Sequence, residues 1–117
     1  MTLNWQKYTD GSWCVFLSLN LQDKHFDNME GVYIIWHGGQ VPAVVRVGQG
    51  KIKDRIAFHR NDPEITKYSP LGLYVTWAAV SAYDRDGVER CLGECLKPKV
   101  GTQFPDAPSI PVNMPWA

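Results

Sequence analysis

Arg55 and His59 lie one helical turn apart in a segment, Ile52 to Arg60, whose apolar face is marked by Ile52 and Ile56, with Phe58 off to its side. Both project where a helix packed on a core would carry leucine or valine. A guanidinium stranded against a core is costly, so Arg55 either has a carboxylate partner or faces a cleft. Further along, Val88, Cys91, Leu92, Cys95 and Leu96 fall within one helical stripe about 140° wide. Glu89 sits on the border of that stripe, partly shielded from water yet reachable, whereas Glu94 lies far from it and is solvated. Two arrangements satisfy this pattern. One is a structural Arg55–Glu89 ion pair, and the other is a shallow cleft in which Arg55 and His59 meet an anion.

The charge around Arg55 bears on that choice. Between Arg46 and Arg60 the basic residues are Arg46, Lys51, Lys53, Arg55 and Arg60, five against the single acid Asp54. The chain as a whole carries 12 basic and 12 acidic residues, which cancel. A protein that holds nucleic acid through its whole surface is basic, so any such binding must come from this patch. Gly48-Gln49-Gly50 leads into the Ile52 helix, and the free N–H groups of a helix start attract phosphate. The same glycines also read as an ordinary strand-to-helix turn. Together these features point to a phosphate-bearing partner.

The elements that must position these residues can be read from pattern. Residues 12–19 read as a strand and Gln22 to Glu30 as a polar connection. Gly31 to Trp36 is rich in β-branched and aromatic residues, and His37-Gly38-Gly39-Gln40 is a turn signal before a second strand, Pro42 to Val47, which makes a hairpin. Asn61-Asp62-Pro63 ends the first helix, and Glu64 to Gly72 is a loop. Leu73 to Tyr83 is apolar almost throughout, as in a strand covered on both faces. Asp84 or Asp86 caps a second helix running to about Leu96 and stopped by Lys97-Pro98. The remaining residues form an extended tail, in which Ile110, Val112, Met114 and Trp116 should pack back onto the domain.

Gly31-Val32-Tyr33, followed after twelve residues by Arg46-Val47-Gly48, resembles the paired signature of the GIY-YIG nucleases. Lys53-Asp54-Arg55-Ile56 with His59 is similar to that family's arginine helix. Glu89-Arg90-Cys91-Leu92, with Leu96-Lys97-Pro98, is similar to its glutamate helix. The resemblance spans residues 31–98. It implies an α+β fold with a small central mixed β-sheet, about three core strands plus an N-terminal one, flanked by helices. Residues 1–30 would supply the N-terminal strand and connection, 31–98 the GIY-YIG-like domain, and 99–117 a Pro-rich tail, all in one domain.

The function implied is that of a metal-dependent endonuclease hydrolysing phosphodiester bonds in DNA with one Mg2+ or Mn2+ ion. Carried over by position, Glu89 would hold the metal, and Tyr33 would activate the attacking water with His59 assisting. Arg55 would bind the phosphate and offset its growing charge. Arg46, Gln49, Lys51, Lys53 and Arg60 would contact the nucleic acid, and Gly31 and Gly48 would be structural. Two positions depart from the family. Arg46 stands where the second signature tyrosine belongs, and Gly101 where an asparagine is expected. Asn113, carried by the long tail, could return to fill the latter role. The alternative reading is a non-catalytic nucleic-acid-binding or protein-interaction module, with Trp5, Trp13 and Trp116 forming an exposed apolar surface.

Size and composition set the frame. At 117 residues the chain holds one hydrophobic core, and its 44% hydrophobic and 21% charged residues argue against disorder. The longest apolar stretch, Leu71 to Ala82, is interrupted by Gly72, Thr76 and Ser81 and does not span a bilayer. The N-terminus lacks the basic-then-apolar order of a signal peptide, so a cytoplasmic protein without a membrane partner is expected. Three cysteines fit a reducing compartment, with Cys91 and Cys95 assigned to core packing rather than to a disulfide or metal.

Overall fold

Val32, Ile34 and Trp36 point to one face of the strand Glu30–His37 (β2), and Tyr33 and Ile35 to the other. All five are buried, so this strand must lie in the middle of a sheet covered on both sides. The computed structural model, which describes residues 1–116, shows that sheet. Cys14–Val15 (β1), Ala43–Lys51 (β3) and Leu73–Ala79 (β4) join β2 in the order β1-β4-β2-β3. The helices are Ile52–His59 (α1), Pro63–Thr66 (α2) and Arg85–Leu96 (α3), and the class is α+β.

Every pairing in the sheet is antiparallel, where a mixed sheet was expected. The reason lies in the connections. β2 and β3 form the hairpin, and the chain then crosses through α1 to place β4 on the other side of β2. β3 and β4 run the same way, but β2 separates them.

Several element boundaries also differ from the reading of the sequence, and β4, expected to run to Tyr83, ends at Ala79 with Tyr83 exposed. Of residues 12–19 only two pair with β4, because the chain turns away after Phe16. The Arg60 guanidinium holds that turn by donating to Phe16 O at 3.0 and 2.8 Å and to Leu19 O at 2.7 Å. β3 continues through Gly48-Gln49-Gly50 to Lys51 and enters α1 at the next residue, with no loop between. The Glu64–Gly72 segment is not all loop. Asp62 caps α2 by accepting from Glu64 N, Pro63 takes the first helical position, and a 3-10 turn follows at Ser69–Leu71.

One face of the sheet is covered by α1 with Phe16, Phe26 and Ile65, and the other by α3, Leu3 and the tail. Among the described residues the tail has no helix or strand, yet Phe104, Ile110, Val112 and Met114 pack against the second core. Lys99 N and Val100 N donate to Val44 O and Val45 O at 3.1 and 2.8 Å, covering part of the β3 edge. Asn113 clasps Leu3 from both sides: its Oδ1 accepts from Leu3 N at 2.6 Å and its Nδ2 donates to Leu3 O at 3.0 Å. All three cysteines carry free thiols. Cys95, assigned above to the core, is exposed, because nothing packs over it in the last turn of α3. Among the described residues no helix is long and apolar enough to cross a membrane.

Candidate functional site

At the outer edge of β3 a cleft of about 70 Å3 is lined by Tyr33, Arg46, Gln49, Arg55 and Glu89, with Gly101, Gln103 and Phe104 of the tail closing one side. Local structure brings each of these side chains there. Tyr33 stands on the α1 face opposite Gly48, its cross-strand partner. A Cβ at position 48 would collide with the Tyr33 hydroxyl, so only glycine lets the ring lie flat over β3. Gly31 is likewise confined, between Gly50 and Ala79, with no room for a Cβ beside the Ala78 carbonyl.

Arg46 reaches the cleft through a β-bulge. Ile35 pairs with Arg46 and Trp36 with Val44, which leaves Val45 as an extra residue. A bulge of this kind turns two consecutive side chains to one face. Val45 enters the core beneath α1, and Arg46 follows it on the same side as Tyr33. Arg55 arrives from α1, its side-chain stem lying 3.4 Å from where a Cβ of Gly50 would be. Glu89 comes from α3 on the opposite face, where Gln49 Nε2 donates to Asp86 Oδ1 at 2.8 Å. The edge of β3 therefore stands between the two helices.

That separation excludes the structural Arg55–Glu89 ion pair, one of the two arrangements open at the sequence level. Among the described residues Arg55 and Glu89 form no ion pair with each other or with anything else, and neither does Arg46. Arg46 Nε and Arg55 Nε are buried without a hydrogen-bond partner. Buried donors are nearly always satisfied, and an anion in the cleft is a group that could satisfy these two Nε donors. Burial pushes the Glu89 carboxyl above its ordinary range. Gln49, Arg46 and Arg55 work the other way, and Asp86 adds to the rise.

His59 does not line the cleft. It lies behind Tyr33, only 1% exposed, with Nε2 2.6 Å from Tyr33 Oη. Burial first, then Arg55 and Arg46, push its pKa down to about 4, against a smaller opposing effect of Asp62. The ring is therefore neutral near pH ~7. The shared proton can sit on either side: the Tyr33 O–H donates to a bare Nε2, or an Nε2–H donates to the phenol oxygen. Nδ1 is buried and unpartnered.

The other nominated residues separate into two groups. Lys51, exposed where β3 meets α1, and Lys53, half-buried on α1, do not line the cleft. Arg60 is turned away, its donors taken by the carbonyls of Phe16 and Leu19. Asn113 is not at the cleft either, because both ends of its amide are held by Leu3. The polar tail residue that does reach the cleft is Gln103, two positions beyond Gly101. The signal for it was indirect. Gly93, inside α3, is the seat on which the Phe104 ring lies, and that contact sets the tail beside the cleft.

The donor set bears on which ion could be held. Among the described residues no group of three or more His, Cys, Asp and Glu side chains could hold a metal ion, so a closed protein cage is excluded. Glu89, with Asp86 one turn earlier, fits a hard ion that keeps most of its waters and takes one or two carboxylates plus a substrate phosphate. The nearby guanidiniums oppose a cation until an anion arrives. No protein-family model, curated protein or solved structure matches the chain.

Proposed function

We propose that the chain binds a phosphodiester of nucleic acid, DNA in the first instance, in the Tyr33–Arg46–Arg55–Glu89 cleft and hydrolyses it as a GIY-YIG-type endonuclease. The observation that carries this reading is the pair of buried, unpartnered guanidinium Nε donors facing a cleft that also holds an unpaired carboxylate. Arg46 and Arg55 bind the non-bridging phosphate oxygens and offset the charge that grows on them in the transition state. Tyr33 Oη takes a proton from the attacking water while its own proton passes to His59 Nε2. The bound anion offsets the share of the His59 depression that Arg55 and Arg46 add to that of burial, which makes Nε2 a better acceptor when substrate is present. The water oxygen forms the new bond to phosphorus, and the leaving oxygen is protonated from solvent. A Mg2+ or Mn2+ ion held by Glu89, water and the substrate's phosphate would supply further charge neutralisation at the leaving oxygen.

The test is nicking of supercoiled DNA with Mg2+ or Mn2+. Glu89→Gln and Arg55→Ala should each lower the rate by about 100-fold or more. A second reading, binding without cleavage, is favoured by Arg46, a cation in place of a second phenol. It is the outcome if DNA and RNA stay intact with every ion offered while oligonucleotide binding persists and is weakened by Arg46→Gln.

A further inference from the structure

A second recess, of about 410 Å3, lies at the hairpin end of β3 and is lined by Trp13, Trp36, Pro42, Ala43, Val44 and Trp116. Trp13 and Trp116 both stand edge-on to Trp36, with ring centroids 5.3 and 5.1 Å away at 88° and 86°. Tyr74 stacks on Trp36 at 5.8 Å and holds it in place. Two rings set nearly perpendicular to a third give the recess aromatic walls, which suit a flat, π-rich group.

Two features choose the kind of group. No carboxylate lines the slot, and Lys7 Nζ already sits 4.3 Å from the Trp13 centroid without being part of the lining. A cationic ligand is therefore disfavoured, and a neutral ring carried by a polyanion is favoured. The slot also lies on the same strand as the phosphate-facing cleft. It includes Val44, the cleft includes Arg46 and Gly48, and four residues of strand span about 14 Å. Beside that stretch runs the tail, whose exposed Lys99 is hydrogen-bonded through its N–H to Val44 O.

We propose that this recess captures an unpaired nucleobase of the same strand whose phosphate occupies the Arg46–Arg55 cleft, which makes single-stranded nucleic acid, or a single-stranded flank, the substrate class. The proposal rests on the nucleic-acid reading of the cleft and adds the slot to it. Base stacking on aromatic side chains tolerates every base, so no sequence preference is expected from it.

The test is a titration with a labelled oligothymidylate about ten nucleotides long, and with a duplex of equal length, read by polarisation and by intrinsic tryptophan fluorescence. The single strand should quench the tryptophans and bind more tightly than the duplex. Trp116→Ala should weaken the single strand roughly 5- to 100-fold, with Trp116→Phe restoring most of the loss and duplex affinity unchanged. Trp116 is 43% exposed, so the variant keeps its fold, as a matching circular dichroism melt would show. Single-strand binding that depends on Arg46 but is indifferent to Trp116 overturns the slot and leaves the cleft standing. Binding that is indifferent to both residues, or absent, overturns the nucleic-acid reading and the slot with it.

Discussion

Burial and two guanidiniums push the His59 imidazole from an ordinary 6.5 down to about 4, and this gives the fold a pH dependence of known sign. On acidification the unfolded ring takes a proton first, so between these values the unfolded chain binds more protons and stability rises with pH. The contribution is fully present above pH 6.5 and is lost as the pH falls towards 4, by up to about 3 kcal/mol at roughly 1.4 kcal/mol per pH unit. Glu89 works in the opposite sense, its raised pKa giving stability that is present in acid and lost as the pH rises through its folded value. Comparing urea unfolding of wild type and His59→Gln across this range isolates the imidazole. The wild type should lose more stability on acidification, and parallel curves would show that the buried ring is not held neutral. At this scale the sequence exposed Arg55 and Glu89 as side chains at odds with their helical faces. It marked Gly48 as structural without showing why, because the need for a missing Cβ arises only from Tyr33 lying across the neighbouring strand.

The long elements were legible, and so was the return of the tail through Ile110, Val112 and Met114, but the path of the tail was not. β2, α1, β4 and α3 declare themselves by periodicity and by breakers at their ends, whereas the course of residues 99–116 depends on single backbone bonds and on rings seated over glycines. No periodic pattern encodes such contacts, so Gln103 was missed and Asn113 was assigned to the wrong place. Asn113 serves instead as a clasp between the N-terminal segment and the tail. Asn113→Ala removes both hydrogen bonds to Leu3 and should cost about 1–3 kcal/mol in chemical denaturation. The Leu3 amide should lose its protection from hydrogen exchange, while oligonucleotide binding stays at the wild-type level. A loss of binding with no loss of stability would return Asn113 to the cleft.

For the molecule as a whole, the cancelling charge limits how nucleic acid can be held. Arg46 and Arg55 line the cleft, and Lys51 and Lys53 are the neighbouring cations in the sequence whose side chains no ion pair or hydrogen bond among the described residues engages. With at most one phosphate neutralised by each, the slope of log K against log salt should lie between about −2 and −4 for either strand form. A markedly steeper slope would mean that the footprint extends well beyond this edge. Composition alone had indicated a local patch. That Arg60 is not part of it became visible only when the chain was folded and its guanidinium met the Phe16 and Leu19 carbonyls. The bulge at Val45 has a consequence for the design of the whole edge. Side-chain alternation changes phase there, so the tryptophan-lined end and the arginine-lined end of β3 keep separate registers. A change of length or sequence in the hairpin tip can be absorbed at Val45 without rotating Arg46 or Gly48 out of place. The two ends of one strand are thereby free to vary independently of each other.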